Sequence, residues 1–401
     1  MATPHAVVLG AGMIGSVIAR DLACGGTGPG LDVTVADARP AALERVAANV
    51  SAAGGAVKTV VADLADPVVV KRVVKDADVV CGAVASGIAY AVLRAVMESG
   101  RLYSDISFMG EDADTLHALA KDHGDTAVVD IGVAPGMSHA LAADCHRRLA
   151  AKGIKTESLR IYVGGLPRVR TWPYQYKAAF SPADVLEEYT RPSRIVEHGR
   201  IVVREALSEP ELMDFEGVGT LEAFNTDGLR SLSRSYLGIV PHMVEKTLRY
   251  PGHIEQMRVL RATGLMSEES TELGGVRVKP RELLAKLMFP HWQYAPGEED
   301  LTVMRVVGEG GGKRIAWDVL DVGTQGGGGG GDGRQTSMGR TTGFPCAIVA
   351  RMLLDGTIRG SGLGPGVVNP ERLGEHPAVL DRLVAEQAAP GRGVAYRLTE
   401  S

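Results

Sequence analysis

Ala6-Val7-Val8-Leu9-Gly10-Ala11-Gly12-Met13-Ile14-Gly15-Ser16-Val17-Ile18-Ala19 runs an aliphatic stretch through three closely spaced glycines into a helix-like one, and Asp37 follows 22 residues after Gly15. A bare G-x-G-x-x-G is a weak signal. Here it follows a strand, opens a helix and precedes an acid closing the next strand, which is the full context of a dinucleotide site. Gly10 permits the tight turn, Gly12 lets a pyrophosphate approach the backbone, and Gly15 lets helix and strand pack closely. Met13 and Ile14 open the helix, whose free N–H groups and partial positive charge suit the pyrophosphate. Asp37 would take the adenosine ribose hydroxyls and repel a 2′-phosphate, favouring NAD over NADP. Arg39 is the counter-indication, because it could swing towards such a phosphate. Asp63, closing the third strand, and Ala83, in the loop after the fourth, complete the candidate cofactor residues. The bland alternative is that the glycines serve helix–strand packing alone.

Outward from this motif, aliphatic runs recur at Asp32–Asp37, Val57–Ala62, Asp78–Val84, Tyr103–Ile106 and Ala127–Ile131. Continuous apolar runs fit strands of a parallel sheet covered on both faces. Helical patterns lie between them at Met13–Cys24, Pro40–Val50, Pro67–Lys75, Ile88–Glu98 and Asp112–His123. The economical fold is α/β, a doubly wound Rossmann domain over residues 1–135. After Pro135 the pattern changes. Ser181-Pro182-Ala183-Asp184 reads as a capped helix start. Arg194–Leu207 reads as two strands around His198-Gly199, and Leu301–Val307 with Lys313–Val322 as another hairpin. These predict an α+β substrate and oligomerisation domain with an antiparallel sheet over residues 136–335. The segment from about 336 to 401, with a helix over Phe344–Leu354, is expected to return to the Rossmann domain. Gly326–Gly331 is a glycine run that predicts a mobile loop.

At 401 residues the chain exceeds the usual single core, which agrees with two domains. A net charge of -5 gives no electrostatic reason to expect nucleic acid or an anionic membrane as partner. No apolar run reaches the roughly 18–20 residues that cross a bilayer. MATPHAVVLG lacks the features of a signal peptide, so a cytoplasmic protein is expected. Cys24, Cys81, Cys145 and Cys346 are scattered, which predicts neither a metal site nor a disulfide framework.

In a Rossmann domain the nicotinamide lies at the carboxyl ends of the later strands. Gly82–Gly87, Asp105–Phe108 and Asp130–Gly136 are therefore the loops of interest, with Ser86, Asp105, Ser107 and Asp130 as their polar groups. Loop capping by Asp105 and a structural hydrogen bond from Asp130 are the competing roles. Gly132–Ser138 reads as a tight turn into a helix.

Asp130–Ser138 (DIGVAPGMS), Gly164–Pro167 (GGLP), Tyr176–Ser181 (YKAAFS), Glu188–Thr190 (EYT), Gly219–Leu229 (GTLEAFNTDGL), Lys246–His253 (KTLRYPGH) and Thr336–Gly343 (TSMGRTTG) follow in order. On these stretches the chain resembles the saccharopine dehydrogenase-like family, and within it the lysine 6-dehydrogenase branch. The resemblance implies a Rossmann domain joined to an α+β substrate domain, an amino-acid substrate and a homo-oligomer. It also implies NAD-dependent oxidation of the ε-amine of L-lysine to the semialdehyde with release of ammonia. An ammonium must lose a proton before its carbon gives up hydride, so a base is required. Asp105 and Asp130 are candidates to hold the ammonium, and His253 and Lys177 are candidate bases. Arg249 suits the substrate carboxylate, while Tyr176, Ser86 and Thr341 are the other substrate candidates. Tyr174 and Trp172 could line a channel beside Tyr176. The rival within the class makes or splits saccharopine or carboxynorspermidine. That needs several arginines, with Arg168, Arg170, Arg249 and Arg340 available. A non-catalytic NAD-binding sensor is the reading from another class.

Overall fold

A computed structural model describes residues 3–324 and 335–401, and the glycine run Gly326–Gly331 lies outside the described residues. The chain divides into two compact units, one of Met1–Asp144 with Gly339–Tyr396, the other of Cys145–Gly326 with Thr336–Met338 and Arg397–Ser401.

The first unit is built on β1 (His5–Leu9), β2 (Asp32–Asp37), β3 (Lys58–Val61), β4 (Val79–Gly82), β5 (Leu102–Asp105) and β6 (Thr126–Val128). A seventh strand, Gly366–Val368, comes from far along the chain (β17 in chain order). The sheet order is β17-β6-β5-β4-β1-β2-β3, and every pair is parallel. The order reverses between β1 and β4, which opens the ligand crevice of a doubly wound sheet. Helices α1 (Met13–Cys24), α2 (Pro40–Ala52), α3 (Pro67–Val73), α4 (Ser86–Glu98) and α5 (His117–His123) link the strands. α1 stops at Gly25, where a φ of +97° forms the left-handed cap that glycine accepts without strain. Val7, Leu9, Val80, Tyr103 and Ala127 of the sheet share one core with Ala89, Val92, Leu93 and Val96 of α4. β3 departs from the expectation of a strand covered on both faces. As the edge of the sheet it is exposed along its whole length, with Val61 64% accessible.

Helix α6 (Met137–Ala151) is followed by a sheet of β7 (Ser158–Pro167), β8 (Ser193–Glu197), β9 (Arg200–Arg204), β10 (Glu211–Phe215), β11 (Gly219–Asn225), β12 (His242–Arg249), β15 (Glu299–Gly310), β16 (Lys313–Thr324) and β18 (Tyr396–Glu400). A small hairpin, β13 (Thr271–Leu273) and β14 (Val276–Val278), stands apart from it. The order is β10-β11-β12-β7-β15-β16-β18, with β8 and β9 attached beside β12. The sheet is mixed: most pairs are antiparallel, but β7 and β12 run parallel at its centre, with Ser158 opposite His242. Leu166, Phe224, Leu248 and Val303 on its strands pack with Ile254, Met257, Met288 and Trp292. Helix Ser337–Leu354 starts under a buried carboxylate. Asp300 Oδ1 accepts from Ser337 N (2.8 Å) and Oδ2 from Met338 N (3.0 Å). Among the described residues no helix is long and apolar enough to cross a membrane, and no group of three or more His, Cys, Asp or Glu gathers to hold a metal.

Candidate functional site

The three glycines of the first turn separate into two jobs. A Cβ on Gly10, whose φ is +106°, would lie 2.2 Å from Ala83 O, and one on Gly15 would lie 2.0 Å from Gly10 O. Both are needed for the chain to close on itself. A Cβ on Gly12, the residue preceding α1, would meet nothing within 4 Å. Its open face beside the unsatisfied N–H groups of the helix is the space a pyrophosphate needs, and the cradle therefore fits a dinucleotide. Met13 opens α1 with 42% of its surface accessible, and Ile14 O lies against Gly343.

Asp37 ends β2 with its carboxylate already engaged. Oδ2 accepts from Ala11 N (2.8 Å), and Oδ1 accepts from Arg39 N (2.8 Å) and Arg39 Nε (3.1 Å). Burial opposes its ionisation, but the hydrogen bonds from Arg39 and Ala11 outweigh it and hold the carboxyl below the usual range. Asp63, expected at the adenine, is exposed and turns back to cap Ala65 N (3.0 Å). An acid two residues before a free N–H satisfies its own turn first.

At the carboxyl ends of β4, β5 and β6 the loops are tied together. Asp105 Oδ1 accepts from Ser107 N (2.9 Å), Ser107 Oγ accepts from Val84 N (3.0 Å), and Ile131 N donates to Asp105 O (2.8 Å). Asp105 is wholly buried. Burial pushes its carboxyl up to about 7; the Ser107 contacts pull it down and the Asp130 charge adds to the rise. Asp105 Oδ1 thus clamps the loop, as one of the two roles open to it from the sequence requires. Asp130, 5% accessible, holds a φ of +53°, a left-handed conformation that aspartate tolerates and most side chains do not. Gly136 closes the following turn, because a Cβ there would lie 2.1 Å from Gly132 O. Thr341 is buried on helix Ser337–Leu354, and its neighbour Thr342 packs against Gly132. Ser86 opens α4, half-buried, after half-buried Ala83.

The second unit gathers Tyr176, Arg249 and His253. Arg249 is 2% accessible and donates Nε to Tyr189 Oη (2.9 Å), Nη1 to Leu248 O (3.0 Å) and Nη2 to Glu188 Oε2 (3.0 Å). Its guanidinium stacks 4.4 Å from the Tyr176 ring. The expected carboxylate receptor is therefore a buried cation already balanced by Glu188. His253 corrects the expectation of a base. One ring nitrogen meets Tyr174 O (2.9 Å) and the other Tyr189 Oη (2.9 Å). Burial and the Arg249 charge push its imidazole down to about 3, so it is neutral in the working range. Lys177, the other candidate base, is ion-paired with Glu298. Trp172 does not line a channel: it is 85% accessible. Sequence reasoning missed Glu188, Tyr189 and Trp292 as neighbours of Arg249. The stretch EYT carried a signal for the first two. Nothing marked Trp292, which meets Tyr176 edge-on at 5.1 Å.

Residues 6–128 match the saccharopine dehydrogenase NADP binding domain, and residues 132–389 match the saccharopine dehydrogenase C-terminal domain. The chain belongs to the saccharopine dehydrogenase family. Mitochondrial alpha-aminoadipic semialdehyde synthase of Mus musculus is 24% identical over 366 residues, covering 74% of this chain and 38% of that protein. The chain thus spans well under half the length of that relative. Saccharopine dehydrogenase (NADP+, L-glutamate-forming) of Pyricularia oryzae is 22% identical over 435 residues, covering 90% of this chain and 93% of that one. The apo structure of saccharopine dehydrogenase (L-Glu forming) from Saccharomyces cerevisiae aligns with a TM-score of 0.79 at 19% identity, over 99% of this chain and 100% of that chain. That likeness shows the fold: a parallel Rossmann sheet with a mixed sheet after it.

Proposed function

We propose that this family member oxidises the C–N bond at the ε-carbon of a lysine side chain, with L-lysine as substrate and NAD as cofactor. The products are 2-aminoadipate 6-semialdehyde and ammonium: one water is consumed, and two electrons leave the carbon as hydride. NAD, when bound, supplies the hydride acceptor. Gly12 and the first N–H groups of α1, in the turn that Gly10 and Gly15 close, would hold its pyrophosphate, and Asp37 its adenosine ribose. The single observation that carries the reading is the open face of Gly12 between those two closed glycines, with the Asp37 carboxylate at the end of the next strand.

The chain's own part is to take the ammonium proton and to exclude stray water. Asp105 ends β5 and Asp130 lies two residues past β6, and the Asp105 carboxyl, pushed up to about 7, is suited to proton exchange near neutrality. His253 is left out of this role, and Lys177 is the lesser alternative. For L-lysine over a larger substrate, the support is that the Arg249 fork is committed to Glu188 and Tyr189. Arg170 is likewise engaged, its Cζ 4.1 Å from the centroid of the Tyr250 ring.

A second reading is oxidation of saccharopine at the same carbon, with glutamate leaving in place of ammonia. The names of the fungal relatives favour it. Both readings are tested by following NADH formation with L-lysine, D-lysine, ornithine, saccharopine and carboxynorspermidine, and assaying ammonia and glutamate. NADH with ammonia from L-lysine establishes the first. Turnover of saccharopine alone, with glutamate, replaces it by the second.

A further inference from the structure

We propose that two copies of this chain pair through β9, edge to edge and antiparallel across a twofold axis, so that their mixed sheets become one. Among the described residues β9 pairs with β8 alone, which leaves its far side as an open edge. Such an edge carries unpaired N–H and C=O groups and is a template for another strand. β9 does little to blunt it. The strand, Arg200-Ile201-Val202-Val203-Arg204, holds no proline, and it turns Ile201 (44% accessible) and Val203 (62% accessible) to solvent.

The turn fixes which groups are on offer. His198 and Gly199, with φ of +49° and +74°, join β8 to β9 and set Glu197 opposite Arg200. A two-residue turn of this kind closes on a hydrogen-bonded pair, and bonded and non-bonded pairs alternate from there along the hairpin. Arg200, Val202 and Arg204 therefore spend their backbone groups on β8, while those of Ile201 and Val203 point outward.

A twofold axis through Val202 sets Ile201 opposite Val203 of the second copy, and Val203 opposite its Ile201. Both outward residues then exchange N–H···O bonds, and their exposed side chains close into one apolar cluster. On the other face Val202 meets itself and Arg200 meets Arg204 of the second copy. Like charges set opposite each other repel, but Arg204 is not a bare cation. Its Nη2 lies 2.6 Å from Glu197 Oε2 and its Nε 3.1 Å from Glu209 Oε1. One cation under two carboxylates is a net negative group, and it attracts Arg200. Moving the axis to Ile201 sets Val203 against Gly199, and moving it to Val203 sets Ile201 against Glu205. Only the axis through Val202 matches apolar with apolar and charge with countercharge.

The test is sedimentation velocity of the full chain over a concentration series, with melting curves alongside. Wild type is expected to form dimers, and Val203→Lys to raise the dissociation constant at least about tenfold with the melting temperature kept. Val202 pairs with itself at a non-bonded position, where opposed Cα atoms approach to about 4.5 Å. Val202→Cys, made with the exposed Cys24 replaced by Cys24→Ser, should therefore link two copies through a disulfide when oxidised with copper phenanthroline, the bridge being mapped by mass spectrometry. A chain that stays monomeric overturns the proposal. So does a dimer that is indifferent to Val203→Lys, or one that Val202→Cys does not link, since it is then built through another face. If Val203→Lys fails to fold, the link between Val202→Cys copies decides alone.

Discussion

Gly12 and Gly15 stand three residues apart and should answer substitution in opposite ways. Alanine at Gly15 puts a methyl into the Gly10 carbonyl, an overpacking that costs about 1–3 kcal/mol. Alanine at Gly12 meets no protein atom within 4 Å and should cost no more than about 1 kcal/mol as a helix cap. Melting curves with NADH titration should therefore show Gly15→Ala unstable, and Gly12→Ala stable but weak in cofactor binding. His253 predicts a pH dependence. Unfolded, its imidazole titrates near 6.5, and folded it is held at about 3. Between those values the unfolded chain binds the extra proton, so stability declines as pH falls below 6.5, by up to about 1.4 kcal/mol per pH unit. Urea midpoints from pH 7 to 4 should fall less steeply in His253→Gln. Asp105 has the opposite sense. Its carboxyl titrates at 3.8 unfolded and at about 7 folded, so the native chain holds the extra proton and stability declines as pH rises through that window. Asp105→Asn, which keeps an acceptor for Ser107 N, should melt above wild type at pH 8 and level with it at pH 4. A loss of turnover in that variant with NADH binding intact would mark the carboxyl as a proton carrier. The glycine turn was legible because its pattern names its own geometry. The lysine-binding candidates were less so, since burial decides whether Arg249 or His253 is a ligand group or a structural one, and burial is a property of residues brought in from elsewhere.

At the scale of elements, α1 and β2 begin and end where the sequence placed them. Apolar runs bounded by glycine and proline left little choice. The centre of the second sheet was not legible. Ser158 and His242, the first residues of β7 and β12, are 84 positions apart in sequence but opposite in register, and local pattern does not encode which distant strand lies alongside. Helix Ser337–Leu354 shows the same limit. Its start was expected at Phe344, but Asp300 draws it back to Ser337 by taking two of its free N–H groups. Because that carboxylate is buried and its partners have no water to turn to, Asp300→Ala should lower stability by about 2–3 kcal/mol. Chemical denaturation of the variant beside Asp300→Asn, which keeps one acceptor, measures the cap directly.

For the whole molecule the decisive fact is that neither sheet is made of consecutive chain. The parallel sheet takes β17 from Gly366–Val368, and the mixed sheet takes β18 from Tyr396–Glu400. Ser104 on β5 donates Oγ to Cys346 O (3.0 Å) on the late helix. Arg392 closes a buried bidentate pair with Asp21 on α1, at 2.7 Å on both sides. A fragment ending at Asp144 would keep the whole glycine turn yet leave that face of the sheet uncovered and Asp21 without its cation. It should be recovered as aggregate, or as a species without sharp amide resonances, while the full chain binds NADH.

The late strand and helix also set an order of events during synthesis. A ribosome adding about 5–20 residues per second needs on the order of ten seconds or more to pass from β6 to Ser337. Through that interval the cofactor turn has already been made, but the surface destined for Cys346 and its neighbours is bare. The nascent chain must be held in a loose, protected state until the returning segment emerges, so chaperone demand should depend on translation speed across the middle of the message rather than at its start.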